Sequence, residues 1–209
     1  TRVAALLLGG RALRSLEDHD AAARAFGQVI ALGADSVLTA RIELARTLVV
    51  AGKVDESLAQ YSLLINAEPK FAAKALFESA RIHRDRAIDR RRAADLAGTK
   101  QEQQQARRLL KRLVLLYPDQ TPLVELSHIA LAQIATERGD GASATSEWAD
   151  LAANYPDTVY AIYARSMLAL GQQKRGEAKF LLGKLRVQSL DDQLSTLVLQ
   201  QLQALETGP

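Results

Sequence analysis

One pattern of side-chain size repeats along the chain and constrains its fold more than any other feature. A small residue is followed four positions later by a bulky one, ahead of an apolar run. The pattern occurs five times, at Ala22/Phe26, Ser57/Tyr61, Ala106/Leu110, Ala144/Trp148 and Ala178/Leu182. The small residues lie 35, 49, 38 and 34 positions apart. This spacing is typical of a repeated helical hairpin, because small residues let two antiparallel helices cross closely.

Two further marks share the same register. Twelve positions before most of the small residues stands another small residue, namely Gly10, Ala45, Ala132 and Ser166. Twelve positions after three of them stands a proline, namely Pro69, Pro118 and Pro156. Proline starts a helix readily but does not continue one. We therefore predict five helical hairpins and a C-terminal capping helix, over residues 3–32, 36–67, 71–116, 121–154, 158–187 and 190–206.

This register resembles the tetratricopeptide repeat (TPR), a helix–turn–helix unit of about 34 residues. The resemblance covers roughly residues 3–187 and departs from the TPR pattern in three ways. No repeat has the tryptophan expected early in its first helix, the first repeat lacks proline, and the third carries about 15 extra residues. The resemblance implies an all-α, right-handed superhelical solenoid forming a single domain over residues 1–209. It also implies a non-catalytic scaffold or adaptor for protein–protein interaction.

Composition narrows the chemistry without naming a partner. The chain contains no cysteine, which excludes disulfides, thiolate zinc sites, iron–sulfur clusters and cysteine nucleophiles. It has no glycine-rich phosphate loop and no metalloprotease helix motif. We therefore predict no catalytic residue, no metal ligand and no cofactor. A protein or peptide as partner is what the resemblance implies.

The extra residues of the third repeat predict a long hairpin. Alanines recur every seven positions through the segment, at Ala73, Ala80, Ala87 and Ala94. The unbroken period favours one helix over 71–96, a turn at Gly98-Thr99, and a second helix that packs back on the first. The alternative is a short helix followed by a disordered basic loop.

Arginines mark the expected groove. In TPR proteins the first helix of each repeat lines the concave surface, and the residue after its small position is Arg11, Arg46 or Arg81 in the first three repeats. One turn later stand Arg14 and Arg84. Arginine binds carboxylates in a bidentate manner, so the pattern predicts a groove for an acidic segment of a partner. The alternative is that these arginines are solvated, or pair with glutamates of adjacent helices such as Glu43 and Glu78. In the C-terminal half, an adaptable apolar surface is predicted from Tyr160, Tyr163 and Met167.

A second basic surface is the alternative site. Residues 81–112 hold 11 Lys and Arg against 4 Asp and Glu. The candidates for binding nucleic acid or an anionic surface are Arg90, Arg91, Arg92, Arg107, Arg108, Lys111 and Arg112. Aromatic residues for base stacking are absent from this segment, which makes nucleic acid the less favoured partner. The other alternative is a solubilising projection.

Two short motifs suggest a setting. Tyr117-Pro118-Asp119 and Tyr155-Pro156-Asp157 follow the second helices of two repeats, as in TPR scaffolds of the Gram-negative envelope. Those scaffolds include the lipoprotein subunit of the β-barrel assembly machinery and the Tol-associated periplasmic coordinator. We accordingly expect a bacterial periplasmic or envelope location first and the cytoplasm second. Because Thr1 is not an initiator methionine, we also expect that the chain is processed or is cut from a longer one.

Overall fold

The computed structural model describes residues 2–33 and 35–207, and all regular structure in them is helical. The bounds of these helices in chain order are α1 Arg2–Ser15, α2 His19–Ala31, α3 Val37–Val50, α4 Val54–Ser62, α5 Pro69–Arg92, α6 Leu96–Leu116, α7 Thr121–Glu137, α8 Gly141–Asn154, α9 Val159–Gly171, α10 Arg175–Arg186 and α11 Asp192–Thr207. Successive helices pair as five hairpins, and α11 packs on α10. The prediction of an all-α stack of hairpins with a C-terminal capping helix is confirmed.

The chain divides into two compact units. Unit 1 is Thr1–Gln120 and holds the first three hairpins; unit 2 is Thr121–Pro209 and holds the last two with α11. In each hairpin we call the first helix the A helix and the second the B helix. The A helices are α1, α3 and α5 in unit 1, and α7 and α9 in unit 2. The single domain over residues 1–209 stays a prediction.

Small residues sit at the closest helix crossings, as their register predicted. Ala22, Ala106 and Ala178 are fully buried on the B helices of their hairpins. Gly10 shows why the position has to be small, because a Cβ added there would lie 2.7 Å from the ring of Phe26. Four residues separate Ala22 from Phe26, so the bulky ring fills the space beside the crossing. The repeat spacing is therefore a packing requirement.

Each turn between an A helix and its B helix contains one residue in the left-handed conformation. Gly52 and Gly139 occupy this position with φ of 75°, which glycine adopts at no steric cost. The other three hairpins place a residue with a side chain there, namely Glu17, Ala94 and Gln173. The turn geometry is therefore common to both units even where the favourable residue is absent.

The extended third hairpin is real, but its turn lies earlier than predicted. Helix α5 is 24 residues long and α6 follows after three residues, so the alternative of a disordered basic loop is wrong. Gly98 and Thr99 lie in the first turn of α6, where the Asp95 carboxylate accepts a hydrogen bond from the Gly98 amide at 2.8 Å. A Cβ at Gly98 would collide with that carboxylate. The glycine serves the helix cap, and the turn itself falls at Ala93–Asp95.

Candidate functional site

The exposed surface of the A helices in unit 1, here called the A-helix face, carries a repeated ion-pair arrangement. Arg11 on α1 and Arg14 on the next turn both contact Glu43 on α3, with nitrogen–oxygen distances of 2.8 Å to its two carboxylate oxygens. The side chain of Glu43 is only 8% exposed. Burial alone would raise the pKa of Glu43, but Arg14 and Arg11 outweigh burial and lower it. The carboxylate therefore stays ionised between the two helices.

The pair of Arg11 with Glu43 recurs one repeat later as Arg46 with Glu78, but the second arginine, Arg81, lies on the same helix as the glutamate. Arg46 on α3 lies 3.0 Å from one carboxylate oxygen of Glu78 on α5, and Arg81 lies 3.0 Å from the other. Burial alone would lower the pKa of Arg46, but Glu78 outweighs it and raises that pKa. Of the two interpretations of the arginines, pairing with Glu43 and Glu78 is therefore observed. Their role as a groove for a partner stays a prediction.

Positive charge on this face exceeds what the two glutamates neutralise. A cavity of about 200 Å³ opens between Arg11, Glu43, Arg46, Lys70 and Lys74. Neither lysine forms an ion pair with a carboxylate in residues 2–33 and 35–207. Burial, followed by repulsion from Arg46, lowers the pKa of Lys74. The cavity, here called the cationic pocket, therefore combines an opening with cations that the chain itself does not fully neutralise.

Sequence reasoning missed both lysines of the cationic pocket. Lys70 lies in the first turn of α5, and Lys74 lies seven residues before Arg81 on the same helix. A spacing of seven residues is close to two helical turns, so Lys74 falls on the same side of α5 as Arg81. The signal was thus present in the helical period. The repeat pattern did not indicate Lys74, because Thr39 stands at the matching position of the second repeat and Ala4 at that of the first.

The predicted apolar surface of unit 2 is only partly exposed. Tyr160 and Met167 are half-buried on α9, and the Tyr160 hydroxyl donates a hydrogen bond to Asp191. Tyr163 is a core residue, 1% exposed, and its ring meets Trp148 edge-on at a centroid distance of 5.7 Å. Its assignment to an accessible surface is corrected, because the bulky position of the fourth repeat already holds Trp148 and the two rings pack together.

A buried carboxylate was also missed in unit 2. Glu125 on α7 is 3% exposed, and its Oε1 atom has no hydrogen-bond partner among the described residues. Burial raises the pKa of Glu125, and the Thr158 side chain offsets part of the effect. Its negative charge contributes to the raised pKa of Tyr155 and Tyr160, after burial. An isolated glutamate carries no repeat signal, so nothing in the sequence indicated that it would be buried.

The basic segment of the third hairpin splits into two surfaces. On α5, salt bridges join Arg86 to Asp55, Arg90 to Asp95 and Arg92 to Asp89. Arg84 is half-buried and Arg91 is exposed on the same helix. On α6, Arg107 is half-buried, whereas Arg108, Lys111 and Arg112 are exposed. The four basic residues 107, 108, 111 and 112 form no ion pair within the part of the chain that the structure describes.

Two histidines join A and B helices. His83 Nδ1 contacts Glu102 between α5 and α6, and His128 Nδ1 lies 2.9 Å from Glu147 between α7 and α8. Each contact spans 19 residues.

Across the described ranges, no group of three His, Asp or Glu side chains converges as a metal site would need. No helix within those ranges has the length and apolarity needed to span a membrane.

Comparisons with known proteins agree with this architecture. No protein-family model matches the chain, and no curated protein matches it in sequence. Among solved structures, TTC0263, a thermophilic TPR protein from Thermus thermophilus, is 21% identical with a TM-score of 0.64, and the match covers 98% of each chain. The structure of MamA is 18% identical with a TM-score of 0.55, over 84% of this chain and 91% of that one. The chain therefore has the tetratricopeptide-repeat fold, carried by a divergent sequence.

Proposed function

We propose that the chain is a non-catalytic scaffold that binds an acidic segment of a partner protein on the A-helix face of unit 1. The observation that carries this proposal is the cationic pocket. Four cations, Arg11, Arg46, Lys70 and Lys74, line an opening of about 200 Å³ that contains one carboxylate, Glu43. That carboxylate is already shared between Arg11 and Arg14.

An acidic side chain in the cationic pocket gains from both charge and position. Burial and Arg46 already disfavour the charged form of Lys74, and an incoming carboxylate would offset that cost. A charge-assisted hydrogen bond contributes about 1.5–3 kcal/mol, and less where solvent reaches the pair. Glu78 holds Arg46 in place before a partner arrives. The partner therefore loses little free energy in ordering the site.

Peptide titrations provide the test. We expect an extended peptide rich in Asp and Glu to bind the full chain, and Lys74→Gln to weaken that binding about tenfold, or about 1.4 kcal/mol. Lys179→Gln is the matched control, because it removes one exposed positive charge from α10 in unit 2. An equal loss in both variants would show that the peptide responds to net charge alone. The proposal would then be wrong.

We also propose that this scaffold works in a bacterial envelope assembly. The support is the pair of Tyr-Pro-Asp turns, which follow α6 and α8 in the structure. Fractionation of the native organism with an antibody against the chain tests the location. Recovery with the cytoplasmic fraction would contradict the envelope setting and leave the cationic pocket as a proposal of its own.

A further inference from the structure

Helix α6 presents one continuous exposed face that is basic along its length and apolar at its end. Its exposed basic side chains are Lys100, Arg108, Lys111 and Arg112. Gln101 and Gln104 complete the polar part, and Leu115 and Leu116 at the end are 78% and 51% exposed. At 3.6 residues per turn, Gln104, Arg108, Lys111 and Leu115 form a single stripe opposite the buried Ala106, Leu110 and Leu113. We call the stripe, together with the flanking exposed side chains Lys100, Gln101, Arg112 and Leu116, the α6 outer face.

The charges of the α6 outer face are not neutralised by the protein. The only carboxylate on α6 is Glu102, and it contacts His83 of α5 on the packed side of the helix. None of the four basic side chains forms an ion pair in the described residues. On α5, by contrast, Arg86, Arg90 and Arg92 each pair with an aspartate. The free positive charge of the basic segment thus lies on α6.

The repeat scaffold does not require these cations. Ala106 of α6 and Ala144 of α8 occupy the same buried small position. Counting forward from each, Arg108, Lys111 and Arg112 correspond to Ser146, Ala149 and Asp150. Helix α8 forms and packs with one hydroxyl, one methyl and one negative charge at those positions. The basic stripe is therefore a property of α6 itself and has no role in the hairpin packing.

We propose that the α6 outer face binds a membrane surface that contains anionic phospholipid. A bilayer surface offers phosphates to the cations and, just below them, an apolar layer for Leu115. A helix of 21 residues is about 30 Å long, so the stripe lies along the surface. Nucleic acid fits less well, because no aromatic side chain lies on the stripe and exposed leucines have no partner on a phosphate backbone. This inference is independent of the cationic pocket.

Liposome flotation with the full chain tests this proposal. The vesicles contain one third phosphatidylglycerol in phosphatidylcholine, and vesicles of phosphatidylcholine alone are the lipid control. The triple variant Arg108→Gln/Lys111→Gln/Arg112→Gln removes three positive charges from the α6 outer face. We expect it to lower the partition coefficient on anionic vesicles about 100-fold, which corresponds to about 3 kcal/mol. The matched triple variant Arg90→Gln/Arg91→Gln/Arg92→Gln removes the same net charge from α5 and should leave binding within about twofold.

A second variant separates the lipid from other polyanions. Leu115→Asn keeps every charge, and we expect it to weaken vesicle binding about fivefold, because the side chain no longer enters the apolar layer. The proposal is overturned if anionic vesicles do not bind the chain, or if the two triple variants lose binding equally. It is also overturned if a short DNA duplex binds in their place with the same sensitivity to the α6 triple variant. Circular dichroism of each variant confirms that the helical fold is retained.

Discussion

The two units are built from the same kind of helical hairpin but differ in the sign of their net charge. Unit 1 carries 20 Lys and Arg against 14 Asp and Glu, whereas unit 2 carries 7 against 10. After the small position of the A helix, unit 1 has arginine in all three hairpins, and unit 2 has Gln133 and Met167. The buried positions are small or bulky in both units because packing dictates them. The difference shows that the register of a repeat locates a surface, and that only the side chains placed there determine its chemistry.

The largest expected effect tests whether unit 2 has a sealed aromatic core where unit 1 has an open charged face. Tyr163→Ala removes a ring that is 1% exposed and packs on Trp148, so we expect a loss of about 3–5 kcal/mol in the free energy of unfolding. Urea denaturation followed by the fluorescence of Trp148, the only tryptophan, measures it. Tyr163→Phe keeps the ring and should cost less than about 1.5 kcal/mol. An unchanged denaturation midpoint for Tyr163→Ala would mean that this side chain does not pack in the core.

A smaller effect is expected in unit 1, where one substitution should lower stability and strengthen peptide binding. Glu43→Gln leaves Arg11 and Arg14 without their shared counter-charge, so we expect stability to fall by about 1–2 kcal/mol. The same change frees Arg11 for an incoming carboxylate, so an acidic peptide should bind more tightly. Asp150→Asn, an exposed change of equal charge in unit 2, is the control for both measurements. Weaker peptide binding by Glu43→Gln would mean that the glutamate positions the site and does not compete with the partner.

The sequence predicted packing better than it predicted surfaces, and particular residues show why. The small and bulky positions had to recur, because the two helices of every hairpin cross closely, and they located the hairpins close to their observed bounds. The prediction of a turn at Gly98 was wrong, because this glycine does not end a helix: its missing side chain makes room for the Asp95 cap of α6. The environment of Tyr163 depends on Trp148, which lies on a different helix.

Glu125 provides a pH-dependent test of unit 2. Burial raises its pKa above the ordinary value of 4.5, so the folded state binds a proton more tightly than the unfolded state does. The stabilising effect of that proton is complete below the ordinary pKa and is lost as the pH rises through the folded pKa. We therefore expect Glu125→Gln to raise the free energy of unfolding by about 1 kcal/mol at neutral pH and to change it little below about pH 4.

Denaturation of the native chain and of Glu125→Gln at a series of pH values measures this difference. Asp150→Asn, the exposed control, should show no such growth with pH. A stabilisation by Glu125→Gln that is the same at acid and neutral pH would mean that the ionisation of Glu125 is not the cause. The carboxylate would then be as stable in the fold as it is in water.

The smallest effect tests a backbone feature that the two units share. Ala94 in unit 1 and Gln173 in unit 2 have φ of 56° and 61°, a conformation that costs a residue with a side chain about 1–2 kcal/mol. Glycine relieves that cost but gains about 0.4–1 kcal/mol of freedom in the unfolded chain. We therefore expect Ala94→Gly and Gln173→Gly each to stabilise the chain by about 0.5 kcal/mol, measured by urea denaturation. Gly139→Ala should act in the opposite direction by about 1 kcal/mol, because its added Cβ meets no atom within 4 Å and the change is purely conformational. If Ala94→Gly stabilises the chain and Gln173→Gly does not, the two units differ in their turns as well as in their surfaces.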